Sequence, residues 1–166
     1  MKNKIELINF ISASLKEKKM ILEWRNHPKI KKWMYNQEEI LLESHLNFIE
    51  SLKISKYKIY FLVKMDKEYI GTIYFTNIDY KNKTTYFGLY SNPYCKTTGI
   101  GTILLKTIID YAFNVLNMDV LKLEVFEINE RALNLYKKFN FKKTGEKVMN
   151  NKKIILMELK NENRKK

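Results

Sequence analysis

Two glycines one residue apart, Gly99 and Gly101, close the stretch Tyr94-Cys95-Lys96-Thr97-Thr98-Gly99-Ile100-Gly101-Thr102. An apolar run, Thr85-Tyr86-Phe87-Gly88-Leu89-Tyr90, leads into it. Ile100, Ile103, Leu104, Thr107, Ile108, Tyr111, Ala112 and Val115 follow at helical spacing. The stretch is therefore a loop that leaves a strand and opens a helix. Glycine lets backbone approach a ligand with no Cβ in the way. The first amides of a helix lack internal partners and sit at the positive end of its dipole. Together these features make an anion site, most often for phosphate. A tight packing turn would carry the same glycines, and spacing alone does not separate the two. The Gly-Lys-Ser/Thr of a P-loop and the third glycine of a dinucleotide fold are both missing.

Other side chains could move protons. Glu124, in the apolar run 120–125, could accept one directly or through water, or could be a solvated strand carboxylate. Tyr136 falls at helical spacing from Ala132 and Leu133 on an inward face, as a packing ring or a proton donor. His45 lies on the apolar face Leu42, His45, Phe48, Ile49, Leu52, where a histidine is more often a satisfied core residue. Asn129 on its own reads as a helix cap. Cys95 has no histidine beside it in sequence and reads as a small filler rather than a nucleophile.

The elements that must position these groups follow from periodicity. Residues 4–10 alternate as a first strand. Ser12 or Ser14 caps a helix to about Arg25, which Pro28 stops, with Asn26 and His27 as the turn. A short aromatic segment, 29–35, ends in Trp33-Met34-Tyr35, and a third helical segment covers about 39–52. Strands 59–63, 69–76 and 84–90, joined by polar turns, form an antiparallel meander. Helix 99–116 and strand 120–125 are a crossover to a parallel neighbour. Helix 130–139, strand 141–147, the turn Asn150-Asn151 and strand 154–159 close the chain. The expected fold class is α/β: one domain over residues 1–166 with a mixed sheet, without repeats or linkers.

At 166 residues, 45% hydrophobic, the chain is long enough for a proper core. Apolar runs such as Ile154-Ile-Leu-Met157 fall far below the ~18 residues of a membrane span, so no membrane partner is expected. Glu6 interrupts what would be a signal core, and a single cysteine suits a reducing cytoplasm. The net charge of +13 favours anionic partners. A Lys/Asn/Ile-rich coding bias accounts for much of the excess. The lysines are dispersed rather than clustered, which argues against nucleic acid. Residues 160–166 read as a basic, frayed tail.

Lys96-Thr97-Thr98-Gly99-Ile100-Gly101 resembles the pyrophosphate loop of the GNAT superfamily of N-acetyltransferases, Gln/Arg-x-x-Gly-x-Gly/Ala. Lys96 departs from the usual Gln or Arg, a mild change in a loop that works through backbone amides. Val120-Leu-Lys-Leu-Glu-Val125, Asn129 and Arg131-Ala-Leu-Asn-Leu-Tyr136-Lys-Lys-Phe139 resemble the family's next strand and helix, in order and spacing. The likeness covers roughly 59–159. It implies the GNAT fold, in which two central parallel strands, here 84–90 and 120–125, splay apart within a helix-flanked mixed sheet. It also implies acetyl-CoA as cosubstrate, no metal, and direct transfer in a ternary complex. By this resemblance 84–140 form the acetyl-CoA-binding core. Lys96, Thr97, Thr98, Gly99, Ile100, Gly101 and Thr102 form the pyrophosphate loop, with the amides of 98–102 on the phosphates. Leu89 and Tyr90 bond the pantetheine arm, Asn129 contacts it, and Tyr136 is the general acid. The base is Glu124, His45 or water.

The N-terminal third, about 11–58, is where GNAT enzymes recognise the acceptor. It holds Trp24-Arg25-Asn26-His27-Pro28, Trp33-Met34-Tyr35, His45 and Phe48. Aromatic faces with an arginine suit a sugar ring carrying phosphate. This pattern, with Tyr86-Phe-Gly-Leu-Tyr-Ser-Asn-Pro93, resembles one group in the superfamily, the acetyltransferases of pseudaminic acid biosynthesis. These acetylate the 4-amino group of a UDP-linked 4-amino-4,6-dideoxy-N-acetyl-β-L-altrosamine. The resemblance implies a nucleotide-sugar pocket lined by Arg25, His45, Tyr86 and Glu124 and walled by Trp33, Met34, Tyr35 and Phe48. The same aromatics could instead only pack helices on the sheet. Two alternatives are a peptide or ribosomal-protein N-terminal acetyltransferase and a non-catalytic basic binding module. A +13 enzyme would repel basic peptide tails. Exposed strand edges would allow a homodimer.

Overall fold

Phe61, Val63 and Met65 alternate with Tyr60 and Leu62, and each set is claimed by a different core cluster. A strand apolar on both sides must lie between two layers, and the computed structural model, which describes residues 3–164, has that form. Its sheet comprises β1 (Ile5–Asn9), β2 (Ile59–Met65), β3 (Glu68–Asp79), β4 (Thr84–Ser91), β5 (Val120–Phe126), β6 (Lys142–Met149) and β7 (Lys152–Lys160). The order is β1-β2-β3-β4-β5-β7-β6. β4 and β5 are parallel and the other neighbours antiparallel. Asn150 and Asn151, both at positive φ (53° and 61°), make the β6–β7 hairpin turn.

One face is covered by α4 (Ile100–Asp110), whose Leu104, Leu105 and Ile108 are fully buried among Phe75, Phe87, Leu121 and Leu123. The helix expected over 99–116 widens at its end, where the Leu116 amide reaches back to the Tyr111 carbonyl at 2.9 Å. α5 (Glu130–Lys138) sends Ala132, Leu133, Leu135 and Tyr136 onto the same core. The other face is covered by α1 (Leu15–Asn26), α2 (Pro28–Lys31) and α3 (Leu42–Ser51). Their Ile21, Trp24 and Ile49 meet Phe10, Leu62 and Tyr90. Ser14 and Glu17 close a capping box at the start of α1.

Several expectations change. Pro28 ends α1 and also opens α2 at its first turn, with His27 Nδ1 accepting from the Lys29 amide at 3.1 Å. α3 starts later than residue 39 because Ile40 is held to Asn26. β7 continues through Lys160 rather than fraying, and Arg164 Nη1 donates to Asn114 Oδ1 at 3.1 Å with its guanidinium over Phe113. The rest of the expected tail, 165–166, lies outside the described residues. No described helix is long and apolar enough to cross a membrane.

Candidate active site

β4 and β5 pair only through Thr84↔Val120, Thr85↔Leu121 and Tyr86↔Lys122. Past that point β4 is laddered to β3 alone and β5 to β7 alone. The facing edges of 87–91 and 123–126 therefore carry backbone groups with no strand between them, an arrangement that accepts an added extended chain. Tyr74, opposite Gly88, lays its ring where a Cβ on Gly88 would sit. Leu89 turns into the main core, whereas Tyr90 is buried on the other face beside Tyr74.

The loop after β4 runs to Gly99, which caps α4 at φ 75°, a left-handed conformation suited to glycine. The Ile103 amide bonds the Gly99 carbonyl at 3.1 Å and is the first of the helix to find a backbone acceptor. The amides of Ile100, Gly101 and Thr102 face outward, as helix geometry requires. A Cβ on Gly101 would meet only Leu135 Cδ2, at 3.5 Å. The fold itself thus leaves room there. This cradle and the open strand edge fit the diphosphate and amide-bearing arm of coenzyme A. Lys96, Thr97 and Thr98 are exposed. Glu68, at the start of β3, accepts from Cys95 Sγ (3.1 Å) and Thr97 Oγ1 (2.9 Å), and these bonds hold its carboxyl below the usual range. Cys95 is half-buried against the main core, as a small filler would be, and also ties the loop to Glu68.

Asn129 caps α5, its Oδ1 accepting from the Ala132 amide at 3.3 Å. The same helix carries Tyr136 against Phe87, at the point where β4 leaves β5 (5.9 Å, edge-on), and against Phe141 (5.7 Å). Burial pushes the Tyr136 phenol well above its ordinary value, so it stays protonated at neutral pH.

On the opposite face β5 presents Lys122, Glu124 and Phe126. Glu124 accepts a short hydrogen bond from the Tyr35 hydroxyl, and Lys147 Nζ lies 2.9 Å from Oε1 and 3.0 Å from Oε2. Tyr35 stands edge-on to Phe126 at 5.6 Å, and burial, then Glu124, raises its phenol. Lys122 lies over Tyr86 at 5.8 Å. The structure therefore joins Tyr35 to Glu124 across 89 residues of sequence, with Tyr86 close by.

The Trp24-to-Pro28 motif positions the segment that carries Tyr35. Trp24 is buried. Arg25 Nη2 donates to the Asn36 carbonyl at 3.0 Å, while Nη1 is buried without a partner. Asn26 clamps both backbone groups of Ile40, at 2.9 and 2.8 Å. Met34 and Phe48 pack into the second core, Phe48 edge-on to Tyr60 at 5.0 Å, and Trp33 is half-buried under Lys32. His45 is buried, with Nε2 2.8 Å from the Lys18 carbonyl, and burial lowers its pKa. The ring ties α3 to α1 and is not drawn into the Glu124 cluster.

Sequence reasoning missed Lys147, Glu68 and Tyr74. Each acts on a residue distant in the chain or across a ladder. Only the pairing of a large Tyr74 with a small Gly88 left a mark, visible once the register is known.

The family model described as Acetyltransferase (GNAT) family matches residues 19–141. Acetyltransferase PseH of Campylobacter jejuni subsp. jejuni serotype O:2 is 43% identical over 137 residues, 82% of this chain and 84% of that protein. The crystal structure of C. jejuni N-acetyltransferase PseH in complex with acetyl coenzyme A aligns with a TM-score of 0.77 at 36% identity, over 95% of this chain and 99% of that one. Spermidine N-acetyltransferase from Vibrio cholerae in complex with CoA and spermine aligns at 0.87 but 18% identity, over 96% of each chain, a likeness of fold alone. With the open β4–β5 edge and the glycine cradle at α4, these matches show that the chain belongs to the GNAT family of acetyltransferases.

Proposed function

We propose that this acetyl-CoA-dependent N-acetyltransferase acts on the 4-amino group of a UDP-linked 4-amino-4,6-dideoxy-N-acetyl-β-L-altrosamine, a step of pseudaminic acid biosynthesis. The likeness to PseH over most of both chains supports the acceptor. The observation that carries the reading is Glu124, held by Tyr35 and Lys147 beside the open edge of β5, within a face rich in aromatic rings and lysines. Such a face suits a sugar carrying negative charge. It disfavours a polycation such as spermidine and a basic peptide, as does the net charge of +13.

Acetyl-CoA, when bound, supplies the acyl group as a thioester activated toward amines. The amides of 100–102 and the free edge of β4 orient it. Tyr35, Tyr86, Trp33, Met34 and Phe48 form the acceptor walls, and Arg25 and Asn26 fix the segment that bears three of them. Glu124 takes the proton that the amine loses, and Tyr136 holds a proton at Oη for the departing sulfur.

The reading is tested by following thiol release with the UDP-linked 4-amino sugar. Wild-type protein should turn over, and Glu124→Gln should lose about 10²-fold in kcat or more with acetyl-CoA affinity retained. Full turnover by Glu124→Gln would remove Glu124 as the base. Absence of wild-type turnover would remove the acceptor.

A further inference from the structure

A UDP-linked acceptor brings a diphosphate to the Glu124 face, and some cation must receive it. Arg25 is turned inward: one guanidinium nitrogen holds the Asn36 carbonyl at 3.0 Å, and the other is buried. Lys122 stands over Tyr86 at the last rung of the β4–β5 ladder. Lys147 differs from both. Its ammonium spans the two oxygens of Glu124, at 2.9 and 3.0 Å, and stands 5.9 Å from the Tyr35 ring. Tyr35 and Lys147 fill Oε1, and Lys147 also takes one side of Oε2, so an incoming amine is left only the outer lone pair of Oε2, with an ammonium beside it.

The pair is also easy to open. The Lys147 side chain is 40% exposed and that of Glu124 22%, and ion pairs this wet contribute little to stability. Lys147 sits on β6, cross-strand from Ile154 and near the hairpin turn, on a long stem that can swing without moving the sheet. A diphosphate offers more charge and more acceptor oxygens than one carboxylate. Glu124 would keep its Tyr35 hydrogen bond when the lysine leaves, so its orientation survives.

We propose that Lys147 binds the diphosphate of the acceptor, and that its transfer from Glu124 to phosphate frees the carboxylate to take the amine proton. The proton lost by the amine goes to the oxygen that Lys147 has vacated. Lys147 thereby makes the nucleotide a requirement for base function as well as for affinity. This inference rests on the nucleotide-linked acceptor proposed above.

The test compares two acceptors, the UDP-linked 4-amino sugar and the same amino sugar without its nucleotide, in wild type and Lys147→Gln. Binding of UDP alone is measured by calorimetry. In the variant UDP affinity should fall at least ten-fold. The kcat/KM preference for the UDP-linked acceptor should also fall at least ten-fold, with kcat on the nucleotide-free sugar rising because Glu124 is released. Lys147→Arg should restore part of the preference. A merely structural lysine would lower both acceptors together and leave their ratio unchanged, which overturns the proposal. Wild-type UDP binding with equal affinity in Lys147→Gln overturns it while leaving the acceptor reading intact. No UDP binding and no turnover of the UDP-linked sugar by wild type overturns both.

Discussion

Tyr136 is half-buried between two phenylalanines, and that packing strengthens its hold on its proton. Phe87 and Phe141 enclose its ring, and desolvation penalises the phenolate. Substitution by phenylalanine preserves that packing and removes only the hydroxyl. Tyr136→Phe should lower kcat by about 10²-fold or more, with both substrates bound as before and Tm close to wild type. Unchanged kcat would make Tyr136 a packing residue. At this scale the sequence exposes a group when its motif is local. Gly99, Gly101, Asn129 and Tyr136 sit in short runs with fixed spacing. Lys147 and Glu68 could not be found that way, because Lys147 meets Glu124 through a strand between them and Glu68 meets Cys95 27 residues on. His45 illustrates the converse. Its place on an apolar face already suggested a core residue, and the Lys18 carbonyl supplies the partner that burial requires.

Two irregular segments frame the site, and a different side chain anchors each. Glu68 pins the loop before α4 through Cys95 and Thr97. Asn26 pins the segment before α3 through Ile40. The two should therefore separate kinetically. Glu68→Ala should raise the acetyl-CoA KM several-fold and leave the acceptor KM alone. Asn26→Ala should do the reverse, and losing two partly buried hydrogen bonds should lower stability by about 1–3 kcal/mol. Equal damage to both KM values by either variant would contradict this division. Periodicity located nearly every element within a few residues, because apolar alternation and three-to-four spacing report which face is buried. It could not show that Asn26 shortens α3, that Pro28 opens a helix as well as closing one, or that the end of α4 widens. Those outcomes are settled by tertiary hydrogen bonds.

Across the whole molecule charge is the dominant property. Alternation suggested a mixed sheet with a parallel crossover, but not where the β4–β5 ladder stops, since unpaired backbone leaves no side-chain signature. The positive field set by +13 grows as carboxylates take up protons in acid, and several carboxylates resist that protonation through local hydrogen bonds. Glu17, hydrogen-bonded by the Ser14 amide and by Tyr69 Oη, is held below its ordinary 4.5, as are Glu68, Asp79 and Glu146 below theirs. A depressed folded-state value means stabilisation that is full above the unfolded value and lost as pH falls through the folded one. Tm should therefore drop steeply below about pH 4.5, and Glu17→Gln should flatten that slope; an unaltered slope would contradict the assignment. The same field bears on the acceptor, and the most direct test is a competition at physiological salt. Acetyl-CoA would be offered together with the UDP-linked 4-amino sugar, spermidine and a lysine-rich peptide amine. The site described here predicts acetylation of the sugar's 4-amino group with kcat/KM at least about 100-fold above the other two, roughly 2.8 kcal/mol of discrimination. Comparable or faster acetylation of spermidine or the peptide would contradict it.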